Sequence, residues 1–321
     1  MDTLAVQTRS LSVALADYAH TRALFDGRVR IPNLALNRVD LPINKIIDDF
    51  LQSAPWEAAE MSMGKFVALI SRNECDFIGL PVFPHRAFRH GAFYVRADSD
   101  LLPAQLRNKR IGIPDATVTA VIYARALLTH FYGIQSDEIE WIVAGVDAAV
   151  EKVLSRASAK SPPMHFYENT SLTTLLLNGD IDAMISPHAP KNNNGAIKPL
   201  FADYSKLDYA YWQTSGLFPI MHAIVLRRDV ERDHPGTRQA LMQGFSAAKE
   251  HCIASLLDPA ETPIPLPFLA QHVERVTRDF GEDFWPYGLD ANRKTLDAFL
   301  DFCFEQGVSC RRVEAVELFP E

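Results

Sequence analysis

Short apolar runs with the two-residue period of strands alternate with segments of helical period through the first two thirds of the chain, and helical period takes over afterwards. The pattern predicts strands over 11–16 (LSVALA), 33–41 (NLALNRVDL), 58–61, 76–82 (DFIGLPV), 92–96 (AFYVR), 109–113 (KRIGI), 140–143, 181–186 (IDAMIS) and 218–227 (FPIMHAIVLR). Helices are predicted between them. One is capped by Asp17 and closes at Gly27, another covers 43–53 and is opened by Pro42, and a third covers 63–71 behind Ser62. Further helices are expected over 119–132 (stopped by Gly133), 147–155 and 171–177 (ended by Gly179). Beyond the last strand come helical stretches at 235–257, 267–280 and 292–307, the first two separated by a proline-rich link at 259–267. Segments 81–90, 114–118 and 187–198 read as loops.

Strands that alternate with short helices imply a mostly parallel sheet and an α/β fold. The apolar strand 218–227 follows a second α/β unit and is expected to return the chain to the first. The expected architecture is therefore two-lobed, with residues 1–96 and 217–321 in one lobe, 97–216 in the other, hinges near 93–99 and 214–226, and a helical C-terminal part. In α/β lobes ligands sit beyond the carboxyl ends of the strands, so a cleft between the lobes is the expected site. With 321 residues and 48% hydrophobic content, the chain can bury the cores that two such lobes need.

The net charge is −8 with no basic run, which argues against a nucleic-acid partner. No stretch approaches the roughly 20 apolar residues of a membrane span, and residues 1–19 lack the basic and apolar regions of an export signal, so a cytoplasmic protein is expected. Cys75, Cys252, Cys303 and Cys310 form no CxxC pair and read as reduced thiols. A homo-oligomer is compatible with the sequence, although no segment marks an interface.

Four loops that follow strands carry candidate chemistry. Ser62, in EMSMG at 60–64, sits at a helix start, where free N–H groups favour an anion, although the plain cap is the more ordinary reading. The stretch PVFPHRAFRH at 81–90 holds His85, Arg86, Arg89 and His90, and arginine forks suit a carboxylate. Thr117 and Thr119 lie at another helix start, again as anion ligands or as caps. His188 follows the strand 181–186, and His222 lies in the apolar return strand, where it is either a satisfied core residue or a general acid. His20, His130, His251 and His272 fall on predicted helices without a partner pattern. GxGxxG, GxxxxGK[ST], GxSxG and HExxH are all absent, which removes support for the classes built on them. No spacing favours a metal, although dispersed histidines and carboxylates leave a divalent ion open.

The chain resembles the 4,5-dihydroxyphthalate decarboxylase family, itself related in fold to the type II periplasmic solute-binding proteins. The resemblance rests on EMSMGKF at 60–66, PVFPHRAFRHGAFYVR at 81–96, RIGIPDATVTA at 110–120, NGDIDAMISPHAP at 178–190, TSGLFPIMHAIVLRRD at 214–229 and FWPYGLDANRKTL at 284–296. It implies non-oxidative loss of one carboxyl group from a hydroxylated aromatic diacid, giving protocatechuate, with no organic cofactor. On that reading Arg86 and Arg89 bind carboxylate with Ser62 and Thr119, His222 or His188 donates the proton, and His85 or His90 assists the phenolic oxygens. His85 and His188 depart from the family pattern, which bears on the substrate. The rival readings are a cytosolic solute-binding or sensor protein on the same fold, another lyase or hydrolase of a related aromatic acid, and a metal-assisted decarboxylase.

Overall fold

A computed structural model describes residues 8–150, 162–191 and 194–320. Its strands are β1 (Arg9–Ala14), β2 (Leu34–Val39), β3 (Ala58–Ser62), β4 (Phe77–Arg86), β5 (Phe93–Arg96), β6 (Arg110–Ile113), β7 (Glu140–Gly145), β8 (Met164–Ser171), β9 (Ala183–Ile185), β10 (Ile197–Pro199) and β11 (Ile220–Arg227). The helices are α1 (Ile43–Ser53), α2 (Met63–Arg72), α3 (Thr119–Ala126), α4 (Leu172–Asn178), α5 (Tyr204–Ser215), α6 (Arg228–Asp233), α7 (Thr237–Leu257), α8 (Leu269–Phe280), α9 (Arg293–Glu305) and α10 (Ala315–Leu318).

The strands form two sheets, ordered β2-β1-β3-β11-β4 and β10-β5-β9-β6-β7-β8. In the first, β2, β1 and β3 run parallel and β11 pairs antiparallel with β3 on one side and β4 on the other. The chain thus builds four strands, leaves for the second sheet, and returns one strand into the middle of the first. Because β5 pairs with β9 and β10, the first passage between sheets falls between Arg86 and Phe93. The main apolar core runs through both sheets. Successive residues of a strand face opposite ways, so Trp141 and Val143 join this core while Ile142 and Ala144 meet Leu172 and Leu176 of α4 in a smaller one.

Several expectations are corrected. No α-helix follows Asp17: only a short turn at Arg22–Leu24 forms, and the Asp17 carboxylate instead accepts from Arg22 at 2.8 Å and meets Arg38 at 3.3 Å. The proline-bearing segment 81–86 is strand, not loop, because β4 is an edge strand and its prolines need no ladder partner on the open side. Helix 119–132 ends its α-helical part at Ala126 and widens into a π-helical turn over Leu127–Phe131. Residues 147–150 are not helical, and the rest of the helix expected over 147–155 lies outside the described residues. The stretch 235–257 starts as helix at Thr237, behind a separate α6. Strand β8 and helix α5 were not anticipated from sequence; β8 is an exposed edge strand without apolar alternation, and α5 buries only Tyr211.

Candidate active site

Three strands carry one row of polar side chains across the carboxyl end of the first sheet. His222 of β11 stands in register with Ser62, the last residue of β3, and with His85 near the end of β4. The His85 and His222 rings meet edge-on with centroids 5.0 Å apart. An apolar sheet carries such groups only where partners satisfy them, and His222 and Ser62 each have one.

His222 Nδ1 lies 2.6 Å from Oε1 of Glu60, whose side chain is fully buried. The hydroxyl of Tyr18 donates to the same Oε1 at 2.6 Å, and the Ala16 N–H donates to Oε2 at 3.0 Å. Burial works to raise the Glu60 carboxyl, but the bond and charge of His222, with the Tyr18 and Ala16 donors, outweigh it and hold the group below the usual carboxylate value. Tyr18 is pushed upward by burial and by the Glu60 charge, so it stays a phenol and a donor. His85 is the opposite case to Glu60: burial, then the charges of His222 and Arg89, pull it down to about 4, which leaves it neutral near pH 7. His20, in the turn after β1, also falls to about 4 by burial and packs between Tyr18 and Trp285, with centroids 5.6 and 5.4 Å away.

The second sheet reaches this row through the loop after β6. Thr119 Oγ1 is 2.9 Å from Ser62 Oγ and accepts the Gly64 N–H at 3.0 Å. Ser62 occupies the N-cap position of α2 but makes no side-chain cap bond there, because its hydroxyl is turned to Thr119. The α2 and α3 N-termini are therefore brought together, with their N–H groups and positive dipole ends at one place. The contact demands a glycine: a Cβ on Gly64 would lie 2.1 Å from the Thr117 carbonyl oxygen. Thr117 itself is turned to Asp115, which accepts from its N–H at 2.6 Å and its hydroxyl at 2.7 Å.

The four remaining candidates are placed differently. Arg89 is buried and has no carboxylate partner among the described residues; Nε points at Met221 Sδ, 3.1 Å away, and Nη1 is 3.5 Å from the Pro187 carbonyl. Burial lowers it to about 10, so it stays charged near neutral pH. Arg86 donates to the carbonyls of Phe218 (3.0 Å) and Pro286 (2.8 Å) and to Asn292, and lies over the Phe83 and Phe218 rings. His90 is fully buried, bonded through Nδ1 to Asp208 at 2.7 Å and boxed by Phe131, Tyr132, Phe201 and Tyr211. His188 sits on an exposed loop with Nδ1 3.1 Å from the Ala189 carbonyl. The structure thus joins Ser62, Thr119, His85 and His222, keeps Arg89 close enough to depress His85, and sets Arg86, His90, Thr117 and His188 on other partners. Glu60, Tyr18, His20 and Trp285 are the neighbours that sequence reasoning passed over. The signal for Glu60 was present: it is the one charged residue in the apolar strand β3.

Among the described residues no group of three or more histidine, cysteine or acidic side chains is arranged to hold a metal. A depression of about 640 Å³ lined by Arg96, Ser99, Gln105, Lys109 and Asp182 lies elsewhere, toward the amino end of β6. The Ser62–Thr119 junction lies at the carboxyl ends of β3 and β6, where α/β sheets take ligands.

Two α/β sheets joined in this way, with one strand returning to the first, define a two-lobed protein of the type II periplasmic-binding-protein-like fold. Solved structures agree: the periplasmic aliphatic sulphonate binding protein of Escherichia coli matches with TM-score 0.53 at 12% identity, covering 97% of this chain and 92% of that one. A mutant of a desulfurization enzyme in complex with biphenyl-2-sulfinic acid matches with TM-score 0.56 at 16% identity, covering 97% of this chain and 96% of that one. No protein-family profile matches the chain. The 4,5-dihydroxyphthalate decarboxylase of Comamonas testosteroni is 32% identical over 315 residues, 96% of each chain, and that of Pseudomonas putida is 29% identical over 184 residues, 56% of this chain and 71% of that one. The chain belongs to the 4,5-dihydroxyphthalate decarboxylase family.

Proposed function

We propose that this protein is a carboxy-lyase that converts 4,5-dihydroxyphthalate to protocatechuate and carbon dioxide, with His222 as the proton donor. The observation that carries the reading is the position of His222: between a buried carboxylate and a neutral histidine, beside the junction of the two sheets. A hydroxyl para to the departing carboxylate feeds electron density into the ring. His222 protonates the ring carbon that bears that carboxylate, the carbon–carbon bond breaks with its electron pair returning to the ring, and carbon dioxide leaves. Arg89 holds the retained carboxylate with the Ser62 and Thr119 hydroxyls and the adjoining helix N-termini. His85, neutral near pH 7, donates its ring N–H to a phenolic oxygen and so favours the phenolate. A proton replaces a carboxylate, so the balance needs neither oxidant nor organic cofactor. The four free cysteines suit a reducing compartment, and we place the reaction in the cytoplasm.

The test is to incubate the purified protein with 4,5-dihydroxyphthalate and follow protocatechuate by chromatography and carbon dioxide by release. Equimolar products, undiminished by exhaustive chelation, are expected. Binding of the compound without product would favour a solute-binding role on the same fold. Neither binding nor product would overturn the assignment of substrate.

A further inference from the structure

We infer that Glu60, seated by Tyr18, is a positioning residue that fixes the His222 ring and supports its charged form during proton transfer. The inference rests on the role proposed for His222 and extends it to residues that do not touch the substrate. Glu60 has no exposed surface, and neither lysine nor arginine lies in ion-pair range of it among the described residues. Its titratable partner is His222, whose imidazole keeps 15% of its side chain exposed. A carboxylate that served folding alone would be as well satisfied by any fixed donor. Here Oε2 takes the Ala16 N–H, and Oε1 takes both Tyr18 and the Nδ1 of a titratable ring.

The consequence is directional. With Nδ1 held against Glu60, the proton on that nitrogen is fixed and Nε2 is left to face the ring carbon. The groups that face His222 are Glu60 from β3, His85 from β4 and Ser62 at the end of β3; Tyr18, from the turn after β1, shares the Glu60 oxygen and stacks on His85, and Arg89 acts on His85. Only Glu60 supplies a negative charge. Positive charge gathering on His222 as it is reprotonated from solvent is therefore stabilised from one side. Tyr18 holds the carboxylate in place and, as a phenol, competes for none of its charge.

The experiment compares the wild-type protein with Glu60→Gln, Glu60→Asp and Tyr18→Phe, each checked for folding by circular dichroism. Glu60→Gln is expected to lower kcat at least roughly tenfold with KM changed little. It is also expected to move the alkaline limb of the kcat profile to lower pH, since an amide no longer favours the charged ring. Tyr18→Phe shifts both in the same direction by less, and Glu60→Asp restores part of the loss. A Glu60→Gln protein with wild-type kcat and pH profile, or one altered in KM alone, overturns the inference. If that variant does not fold, ring-nitrogen NMR of the wild type decides: neutral His222 carries its proton on Nδ1 if the inference holds, and on Nε2 if it does not. A wild-type protein that releases no carbon dioxide would sink the substrate assignment and leave the NMR result to judge the Glu60–His222 pairing.

Discussion

Arg86 and Arg89 stand three residues apart and are both buried, yet their surroundings separate their roles. Every close partner of Arg86 is a carbonyl oxygen, a side-chain amide or an aromatic face, so its charge is spent on tying β4 to the segment before α9. Arg89 faces a sulfur and a distant carbonyl, which leaves beside His85 a guanidinium that bonds no carboxylate among the described residues. Replacing Arg86 with methionine is expected to lower unfolding stability by roughly 2–4 kcal/mol, read by denaturant titration, because buried acceptors lose their donors. Replacing Arg89 with methionine is expected to leave stability nearly intact and to raise KM roughly 10- to 100-fold, the worth of one lost charge-assisted bond to a carboxylate. A reversed pattern would exchange the two assignments. From sequence these two arginines are indistinguishable, since the loop that carries them gives the same composition cue for both. His222 was legible as a histidine in an apolar strand, whereas Tyr18 was not, because its partner lies 42 residues away.

At the scale of elements, the segments with strong local signals appear where the sequence puts them. Pro42 opens α1 at Ile43, and Gly179 ends α4 in the left-handed conformation. The failures share a cause, which is tertiary context. Strand β4 continues through Pro81 and Pro84 because its outer edge is free of a ladder. The apolar pattern at 11–16 is strand as expected, but the chain after it is held by Asp17 and by Tyr18 rather than coiled into a helix. Helices α2 and α3 were both anticipated, with Ser62 before the first and Thr119 at the start of the second; that their starts touch was not, because contact between two helix ends depends on how the sheets meet. Gly64 makes the contact possible. Gly64→Ala would drive a methyl group into the Thr117 carbonyl, parting the Ser62–Thr119 pair. The expected result is a folded protein with turnover reduced at least roughly tenfold, measured by product formation. Wild-type turnover in that variant would show that the junction is not needed for chemistry.

Over the whole molecule, the fold uses one returning strand to complete the site. β11 leaves the second sheet's excursion and slots between β3 and β4, and that insertion is what sets His222 between Glu60 and His85. No earlier strand could do so, since the two neighbours of β11 are built before the chain departs. The general plan of two α/β units and a return was readable from alternation of periods; the neighbours of His222 were not, because strand order is not encoded in local pattern. No helix among the described residues is long and apolar enough to cross a membrane, in keeping with the scattered apolar runs. The central claim is that this returning histidine delivers the proton. Steady-state decarboxylation by His222→Gln, beside His188→Gln as a control on the exposed loop, tests it most directly. The account predicts a fall in kcat of at least roughly 100-fold for the first with KM preserved, and near-normal turnover for the second. Undiminished kcat in His222→Gln would contradict it.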